Sequence, residues 1–318
     1  MQTVSRRSFL KSAAVATGFT AVFPRPAFPS AYGANDAIRL GLIGLGGKGA
    51  DHLNAFYKLP GTRIVALCDA DRDHLAKAAA QLEKLGGKAD QVLDARRIYD
   101  RSDVDAVVIT TPNHSHALLA VWACQAGKDV YVEKPISHEI WEGRQLAEAV
   151  RKYKRIVQPG TQSRSDPALH EAFDLLQKGE LGPIRLVRGF CYKRRKSIGK
   201  VPGPQTIPAS VDYNLWCGPA SMDPLLRQNL HYDWHWVWPT GNGDIGHQGI
   251  HELDMCRWAA GHKAAAPAVI SLGGRFGYVD DATTPNTQAA FFNYPKIPIL
   301  FEVRGLPMAK DIEGEAMD

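Results

Sequence analysis

Short apolar runs and amphipathic segments alternate through the first half of the chain, from residue 38 to about residue 160. Runs rich in β-branched residues predict strands at Ile38–Ile43, 63–68, 106–110, Asp129–Val132 and 156–158. The segments between them predict helices at 48–59, 71–85, 116–126 and 139–153. Such alternation produces right-handed crossovers and a parallel sheet with helices on both faces. We therefore predict an α/β, doubly wound domain over residues 36–160.

The second half of the chain follows a different pattern. A helix is predicted at Pro167–Lys178, and strand-like runs occupy 184–192, 269–278, 287–294 and Ile299–Arg304. Consecutive strands joined by turns favour a mostly antiparallel open sheet, so we predict an α+β domain over residues 161–318. A Pro-rich, irregular stretch at 199–239 separates the first two strands. Loops of this length inside compact domains tend to be functional.

The first 33 residues have the pattern of an export peptide. Arg6 and Arg7 precede an apolar stretch at 12–22, and small and Pro-rich residues follow. The apolar stretch is about half of the ~20 residues that a membrane-spanning helix needs, and the arginine pair resembles the bacterial twin-arginine signal. We predict a twin-arginine signal peptide at residues 1–33, a periplasmic or exported protein, and no membrane span after its removal. The alternative is an amphipathic N-terminus that stays uncleaved.

Composition and charge exclude several classes of protein. Hydrophobic residues make up 45% of the 318 positions and charged residues 22%, which argues against a disordered chain and a polytopic membrane protein. The formal net charge of +5 falls to +1 without the four cations that precede Asp36. Because phosphate binding needs clustered Lys and Arg, we expect no nucleic-acid partner. The five cysteines share no spacing, so neither a zinc cage nor a disulfide framework is predicted.

A glycine-rich turn lies between the first predicted strand and the first predicted helix. Gly44 allows the tight turn, and Gly46 lets a pyrophosphate approach the backbone. Gly49 lets the helix pack against the strand, and the helix start presents free N–H groups to the phosphates. The turn therefore predicts a Rossmann-like dinucleotide site.

Asp69 follows the second predicted strand. A carboxylate at this place accepts hydrogen bonds from the adenine ribose, and it repels a ribose 2′-phosphate. We therefore predict NAD as the cofactor in preference to NADP, although Arg72 and His74 lie close enough to weaken that preference. A helix-capping role for Asp69 is an alternative that is compatible with cofactor binding.

Lys134 lies just beyond the carboxyl end of the predicted strand Asp129–Val132, within the run Glu133-Lys134-Pro135. Open parallel sheets bind ligands at that edge. A lysine beside a cationic nicotinamide would have its ammonium form disfavoured. We therefore predict that Lys134 acts as a base or hydrogen-bond partner for a substrate hydroxyl.

At this place, after such a glycine turn, the run resembles the Glu-Lys-Pro motif of the Gfo/Idh/MocA family of sugar oxidoreductases. The resemblance covers residues 38–304 and includes the glycine turn, Asp69 and a later Gly-rich histidine segment. It implies that Lys134 is catalytic and also contacts the cofactor. It further implies cofactor contacts from Thr111, Pro112, Asn113, His114 and Glu133.

The resemblance extends to one branch of that family. An exported bacterial branch shares the twin-arginine leader and a run that reads here Asp212-Tyr213-x-x-Trp216-x-Gly218-Pro219. Members usually continue through further strands beyond the region that matches residues 301–305, whereas this chain continues into an acidic segment at 310–318. We therefore expect a truncated second sheet, whose exposed edge lowers stability or pairs with a second copy in a homo-oligomer.

The Gly-rich histidine segment predicts one helix from residue 244 to residue 260, with four polar or aromatic side chains on one face. The family pattern has an Asp, a His four residues later and another Asp three further on. The resemblance therefore makes His251 the catalytic histidine and Asp254 the last carboxylate, with His247 in place of the first Asp. This departure leaves the proton-transfer partner of His251 open.

These histidines have two other interpretations. In the first, His251 is a buried structural residue whose hydrogen-bonding groups are satisfied by Asp254. In the second, His247 and His251 bind zinc. Because the spacing is not that of a zinc protease and no third ligand is indicated, we predict no metal.

The most aromatic stretch of the chain, residues 230–239, contains Trp234 and Trp236. Flat ring faces suit stacking on sugar C–H surfaces, and ordinary packing beneath the long loop is the alternative. Gln162 and Arg164 lie at another strand-to-helix junction, and the basic run at 193–196 is interpreted as a solvated charge run. The predicted substrate contacts are therefore His247, Asp254, Gln162, Arg164, Trp234 and Trp236.

These features predict an NAD-dependent oxidoreductase that acts on a sugar or polyol hydroxyl. Because free NAD is scarce outside the cytoplasm, we expect the exported protein to carry its cofactor tightly bound. One alternative is an NAD-dependent glycosidase that oxidises a sugar hydroxyl transiently, eliminates the aglycone and returns the hydride. A second alternative is a non-catalytic module that binds NAD or sugar.

Overall fold

Parallel strands and crossover helices build the first half of the protein in the computed structural model, which describes residues 37–306. The predicted signal peptide at 1–33 and the acidic segment at 310–318 lie outside the described residues. The strands are β1 (Ile38–Ile43), β2 (Thr62–Cys68), β3 (Asp90–Val92), β4 (Ala106–Ile109), β5 (Asp129–Val132) and β6 (Val157–Pro159). The helices are α1 (Gly47–Lys58), α2 (Arg72–Lys84), α3 (Arg96–Tyr99), α4 (Asn113–Gln125) and α5 (Ile140–Tyr153).

The six strands form one parallel sheet in the order β3-β2-β1-β4-β5-β6. Leu40 and Leu42 of β1 pack on one face against side chains of α1 and α2, whereas Ile43 packs on the other face with α4 and α5. Burial on both faces explains why these strands are almost continuously apolar. The predicted doubly wound domain is confirmed. Its strand order reverses at β1, and the carboxyl ends of β1 and β4 flank the crevice where such sheets bind ligands.

Two short elements of this half were not predicted. Asp90 and Gln91 of β3 are exposed, so the strand lacks an apolar alternation, and α3 is a single turn. Helix α4 begins at Asn113, three residues before the predicted start. Asn113 and His114 are buried in its first turn although they are polar, which hid them from an apolar pattern.

The second half combines helices with a four-stranded sheet. The helices are α6 (Pro167–Lys178), α7 (Tyr213–Cys217), α8 (Leu230–Asp233), α9 (Gly243–His247) and α10 (Gly249–Ala259), with 3-10 turns at Gln162–Ser165 and Trp234–Trp236. The strands are β7 (Val187–Tyr192), β8 (Val269–Gly274), β9 (Thr287–Phe292) and β10 (Ile299–Arg304). In the sheet order β7-β10-β9-β8, β10 is parallel to β7 and the other two pairs are antiparallel. The predicted α+β domain with a mostly antiparallel sheet is confirmed.

The prediction of one helix from 244 to 260 is wrong. The helix breaks at Gln248, between α9 and α10. Gly246 and Gly249 flank the break, and each glycine costs about 1 kcal/mol of helix stability relative to alanine. A Cβ at Gly249 would lie 3.0 Å from the ring of Phe301, so α10 packs closely on β10 here. The break separates His247, at the end of α9, from His251, in the first turn of α10.

The cysteines of the described residues serve internal packing. All five cysteines are free and buried, and each lies in a hydrophobic cluster, as expected for small core residues. No helix within residues 37–306 is long and apolar enough to cross a membrane.

Candidate active site

A cavity of about 840 Å³ lies where β1, β2, β4 and β5 end, and loops of the second half form its other wall. Twelve of the predicted site residues line it: Gly44, Gly46, Asp69, Thr111, Pro112, Asn113, Glu133, Lys134, Gln162, Trp234, His247 and His251. Five do not: Gly49, His114, Arg164, Trp236 and Asp254. The predicted cofactor, catalytic and substrate residues therefore meet largely in one place.

The glycine turn has the crowding that a dinucleotide fingerprint requires. Gly44 has φ +85°, and a Cβ there would overlap the backbone of Thr110 and Thr111. A Cβ at Gly49 would overlap the carbonyl oxygen of Gly44, so α1 packs directly on the turn. Helix α1 begins at its N-cap, Gly46, without a side-chain cap. Its first N–H groups are therefore suited to receive an anion such as a pyrophosphate.

Asp69 is fixed beside this turn by two backbone donors. Its carboxylate accepts hydrogen bonds from the N–H of Leu45 at 2.7 Å and from the N–H of Asp71 at 2.9 Å. The side chain that caps α2 is Asp71, which accepts from the N–H of Asp73. The alternative capping role for Asp69 is therefore wrong, and its carboxylate lines the cavity.

His114 supports the cavity wall from behind. It is buried, and its Nε2 lies 3.0 Å from the carbonyl oxygen of Trp216 while its Nδ1 lies 3.4 Å from that of Thr240. Burial lowers the pKa of His114 to about 4, so the imidazole is neutral near pH 7. His114 therefore joins α4 to the loops of the second half. It does not line the cavity, where we predicted that it contacts the cofactor.

Lys134 extends from the end of β5 into the cavity. Its Nζ donates a hydrogen bond of 2.7 Å to the carbonyl oxygen of His247. Burial lowers the pKa of Lys134, and the positive charges of Lys48 and Arg195 act in the same direction against Glu133 and Glu252. An amine with a lowered pKa beside a ligand cavity is suited to proton transfer with a hydroxyl.

The Glu133 carboxylate holds the backbone of Lys134 in place. Its Oε1 lies 2.7 Å from Nε2 of His52 of α1, and its Oε2 accepts the N–H of Lys134 at 3.1 Å. Burial raises the pKa of Glu133, but the hydrogen bond and charge of His52 and the contacts with Lys134 leave it below its ordinary value. A Cβ at Gly160 would overlap this carboxylate. Glu133 therefore joins α1, β5 and β6 beneath the cavity.

The two predicted histidines occupy one wall of the cavity. Burial lowers the pKa of His247, and His235, Lys134 and Arg195 add to this effect; the ring of His235 lies 4.0 Å away, centroid to centroid. Burial, with Lys134, also lowers the pKa of His251. Both imidazoles are therefore neutral near pH 7, and a neutral His251 can accept a proton.

Arg164 and Asp254 bind each other outside the cavity lining. The guanidinium donates two hydrogen bonds to the carboxylate, at 2.7 and 2.9 Å, and lies over the ring of Trp258. Both were predicted to contact substrate, and the structure instead uses them as a bidentate pair that connects the 3-10 turn after β6 to α10. The alternative in which Asp254 satisfies His251 is thereby disfavoured.

The aromatic stretch divides between cavity and core. Trp234 lines the cavity and stacks on His235 with ring centroids 3.6 Å apart. Trp236, which we predicted to contact substrate, is 4% exposed and lies outside the lining. Ordinary packing, the alternative interpretation, applies to Trp236, and Trp234 also packs against a hydrophobic cluster while it lines the cavity.

One residue of the basic run at 193–196, Arg195, forms a buried ion pair with Asp244. Arg195 donates to the carboxylate of Asp244 at 2.7 and 2.9 Å, and only 1% of the Asp244 side chain is exposed. The prediction of a solvated run is therefore wrong for Arg195, which holds the loop after β7 against α9. Its partner lies 49 residues away, so no local pattern indicated the contact. His52 was missed for the same reason, since its partner Glu133 lies 81 residues away.

Comparisons with known proteins place this chain among oxidoreductases. Residues 38–161 match the family model described as an oxidoreductase family, NAD-binding Rossmann fold, and residues 177–290 match that of its C-terminal alpha/beta domain. An inositol 2-dehydrogenase of Salmonella typhimurium is 31% identical over 172 residues, which are 54% of this chain and 50% of the relative. A glycosyl hydrolase family 109 protein of Streptomyces niveus is 39% identical over 124 residues, 36% of this chain and 25% of the relative. This chain thus spans half or less of the length of these curated relatives.

Solved structures show the same fold. The WlbA dehydrogenase of Bordetella pertussis, in complex with NADH and UDP-GlcNAcA, has a TM-score of 0.67 at 19% identity, over 86% of this chain and 69% of that one. A levoglucosan dehydrogenase, in complex with NADH and levoglucosan, has a TM-score of 0.66 at 21% identity, over 86% and 68% of the two chains. With the two matching family models and the site described above, these findings show that the chain belongs to the Gfo/Idh/MocA family of oxidoreductases.

Proposed function

We propose that the protein is an NAD-dependent oxidoreductase that acts on a hydroxyl group of a sugar or polyol. The observation that carries the proposal is Lys134, an amine of lowered pKa that lines the same cavity as the dinucleotide turn. The similarity to inositol 2-dehydrogenases supports a polyhydroxylated substrate.

The residues present fit a bound NAD. The Gly44 turn and the uncapped start of α1 fit the pyrophosphate, and the Asp69 carboxylate fits the two ribose hydroxyls better than a 2′-phosphate. When bound, NAD supplies a hydride acceptor at its nicotinamide ring. Gly44, Gly46, Asp69 and Thr111 would hold it along the carboxyl ends of β1, β2 and β4.

Side chains of the protein then accept the proton of the substrate hydroxyl. As the hydroxyl-bearing carbon gives up a hydride, Lys134 in its neutral form accepts the hydroxyl proton, and the product is a carbonyl compound. His251 lines the same cavity and serves as a second acid or base. Trp234 and Gln162 line the remaining wall and would contact the sugar.

A glycosidase that uses NAD transiently is the second candidate. The similarity to glycosyl hydrolase family 109 proteins, at 39% and 34% identity, favours it. In such a reaction the hydride taken from the sugar is returned to it, so no net oxidation accumulates.

One assay separates the candidates. The purified protein is incubated with free polyols and sugars, including inositol and levoglucosan, and with glycosides, while NADH formation and aglycone release are recorded. A dehydrogenase forms NADH from a free substrate, a glycosidase releases aglycone without net NADH, and a non-catalytic module does neither. Lys134→Ala should lower either activity by about 10²- to 10⁴-fold while NADH binding persists. An unchanged rate would remove Lys134 from the mechanism.

We propose further that the protein is exported through the twin-arginine pathway to the periplasm with its cofactor already bound. Arg6, Arg7 and the apolar stretch at 12–22 support this proposal. Fractionation of cells that express the wild type and an Arg6→Lys/Arg7→Lys variant tests it. We expect the wild type in the periplasm and the variant in the cytoplasm, and an equal distribution would contradict export by this route.

A homo-oligomer formed through the C-terminal sheet is also proposed. The sheet surface turned away from α10 carries four exposed apolar side chains, which a second copy would cover: Phe190, Tyr192, Ile270 and Leu272.

A further inference from the structure

Three side chains with metal-ligating atoms converge beside the cavity, at a place that the proposed reaction does not use. Asp71 is the N-cap of α2, His74 lies in the first turn of that helix, and His231 belongs to α8 of the second half. One ligating atom from each lies within 4.8 Å of the others. Within residues 37–306 this is the one group of three or more His, Cys, Asp or Glu side chains so arranged.

Asp71 is oriented for such a role by its own helix. Its Oδ1 accepts the N–H of Asp73, which leaves Oδ2 directed at the two imidazoles. Oδ2 lies 2.8 Å from Nε2 of His231 and 4.0 Å from Nε2 of His74. The side chain of Asp71 is 6% exposed, so the carboxylate is held among these partners and away from bulk water.

His74 has the support that metal-binding histidines usually have. Its Nδ1 lies 3.6 Å from the carboxylate of Asp69, which two backbone N–H groups hold in place. At 3.6 Å this is an ion-pair contact; a small ring shift would make it a hydrogen bond, which favours the tautomer whose Nε2 has a free lone pair. That Nε2 is the atom that faces Asp71.

The third ligand, His231, belongs to the second half of the chain, which contacts the start of α2. The N–H of Arg72 donates to the carbonyl oxygen of Ser210 at 3.0 Å, and Asp71 pairs with Val211 in an isolated β-bridge. These contacts keep the irregular stretch at 199–239 against the start of α2. The rings of His74 and His231 lie 4.3 Å apart, centroid to centroid, so the two imidazoles lie side by side next to Asp71.

We propose that Asp71, His74 and His231 bind one zinc ion. Two histidines and one carboxylate form a common zinc ligand set, and tetrahedral bonds of about 2.0 Å place ligand atoms roughly 3.3 Å apart. The two separations from Asp71 Oδ2, 2.8 and 4.0 Å, bracket that value, and all three ligand atoms lie within 4.8 Å of one another, so side-chain rotations would complete the site. From the sequence, with only His247 and His251 weighed as ligands, we predicted no metal in this protein, and the zinc site proposed here departs from that prediction at a different place.

The geometry gives the ion a defined place in the molecule. His74 and His231 both line the cavity beside Asp69, whereas Asp71 lies behind them. The fourth coordination position therefore faces the end of the cavity assigned to the adenine ribose, where a water or a ligand oxygen would occupy it. A zinc ion here would fasten the long loop of the second half to the Rossmann domain.

Zinc titration of the metal-stripped, full-length protein tests the proposal, with calorimetry for stoichiometry and cobalt absorption for coordination. We expect one equivalent of Zn²⁺ per chain and a tetrahedral spectrum with Co²⁺. His231→Ala and Asp71→Asn should each weaken zinc binding at least tenfold. Asparagine still caps α2, so the second variant keeps the helix start. His170→Ala, which removes an exposed imidazole outside the cavity, is the matched control and should bind zinc like the wild type.

Either of two results would overturn the proposal. One is the absence of stoichiometric zinc binding by the wild type. The other is equal zinc affinity in the wild type, His231→Ala and Asp71→Asn, since the ion would then lie among other histidines. The proposal does not depend on oxidoreductase activity, because NADH binding, measured in the same samples, reports on the cofactor site separately.

Discussion

The charges around Lys134 shift its pKa, and that pKa sets the pH range of the proposed reaction. The lysine accepts a proton only in its neutral form, so the rate of hydroxyl oxidation should rise with pH through its pKa. Burial and two neighbouring cations place that pKa below the ordinary value of 10.5, and Glu252 opposes them. The rising limb of the pH profile therefore lies below the range of a free lysine.

Glu252→Gln tests this balance. The substitution keeps the side-chain shape and removes a negative charge that favours the ammonium form. We expect the rising limb of kcat/KM against pH to move to lower pH in the variant. A limb that stays in place or moves upward would show that Lys134 does not control it.

At the scale of single residues, the sequence identified those residues whose role depends on their neighbours in the sequence. Gly44 and Asp69 follow a strand directly and Lys134 follows one after a single residue, so their place at the sheet edge could be predicted. His114 and Arg195 could not be assigned, because their partners lie about 50 to 130 residues away. Asp254 was placed correctly on its helix, but its bond to Arg164 depends on how that helix packs.

At the scale of elements, the glycine turn couples the start of α1 to β1. In Gly49→Ala the new Cβ overlaps the carbonyl oxygen of Gly44, so the turn must open. Such overpacking costs about 1–3 kcal/mol. We expect a loss of that size in the free energy of unfolding in urea, together with weaker NADH binding.

Gly47→Ala is the matched control for stability. Its Cβ would meet no atom within 4 Å, and the residue is the first of α1. Alanine should leave the free energy of unfolding unchanged or raise it slightly. Equal losses in the Gly47 and Gly49 variants would contradict the close packing described here.

The Arg195–Asp244 pair connects the loop after β7 to α9. Removing one partner of a buried ion pair leaves an uncompensated charge and typically costs about 3–5 kcal/mol. We expect Arg195→Ala to lower the free energy of unfolding by that amount. The Arg195→Met/Asp244→Leu double variant should lose less, because neither charge remains. A larger loss in the double variant would show that packing, and not charge, dominates.

Regular elements with an apolar pattern were predicted well, and each exception has an identifiable cause. Strands β1, β5 and β10 and helix α6 begin and end at the predicted residues. The break at Gln248 was missed because the predicted helix face, from His247 to Trp258, runs across it, whereas the contact of Gly249 with Phe301 comes from tertiary packing. Strand β3 was missed because two of its three residues, Asp90 and Gln91, are polar and exposed.

For the whole molecule, the exposed face of the second sheet carries the proposed assembly. Ile270 and Leu272 are 65% and 75% exposed and lie on the edge strand β8. Sedimentation should show a homo-oligomer for the wild type and a smaller species for Leu272→Lys. Val279→Lys is the control, since Val279 is 82% exposed outside the strands and its substitution should leave the assembly intact. A wild-type protein that sediments as a monomer would contradict the proposed assembly.

The central claim is that a nicotinamide dinucleotide occupies the cavity beside Lys134. Native mass spectrometry of the gently purified protein tests it most directly, because the intact ion reports retained nucleotide, chain mass and subunit number together. We expect one NAD or NADH per chain, either retained or taken up when supplied, and no retention or uptake by Gly49→Ala at the same concentration. A wild-type protein that neither retains nor takes up the dinucleotide would contradict the account.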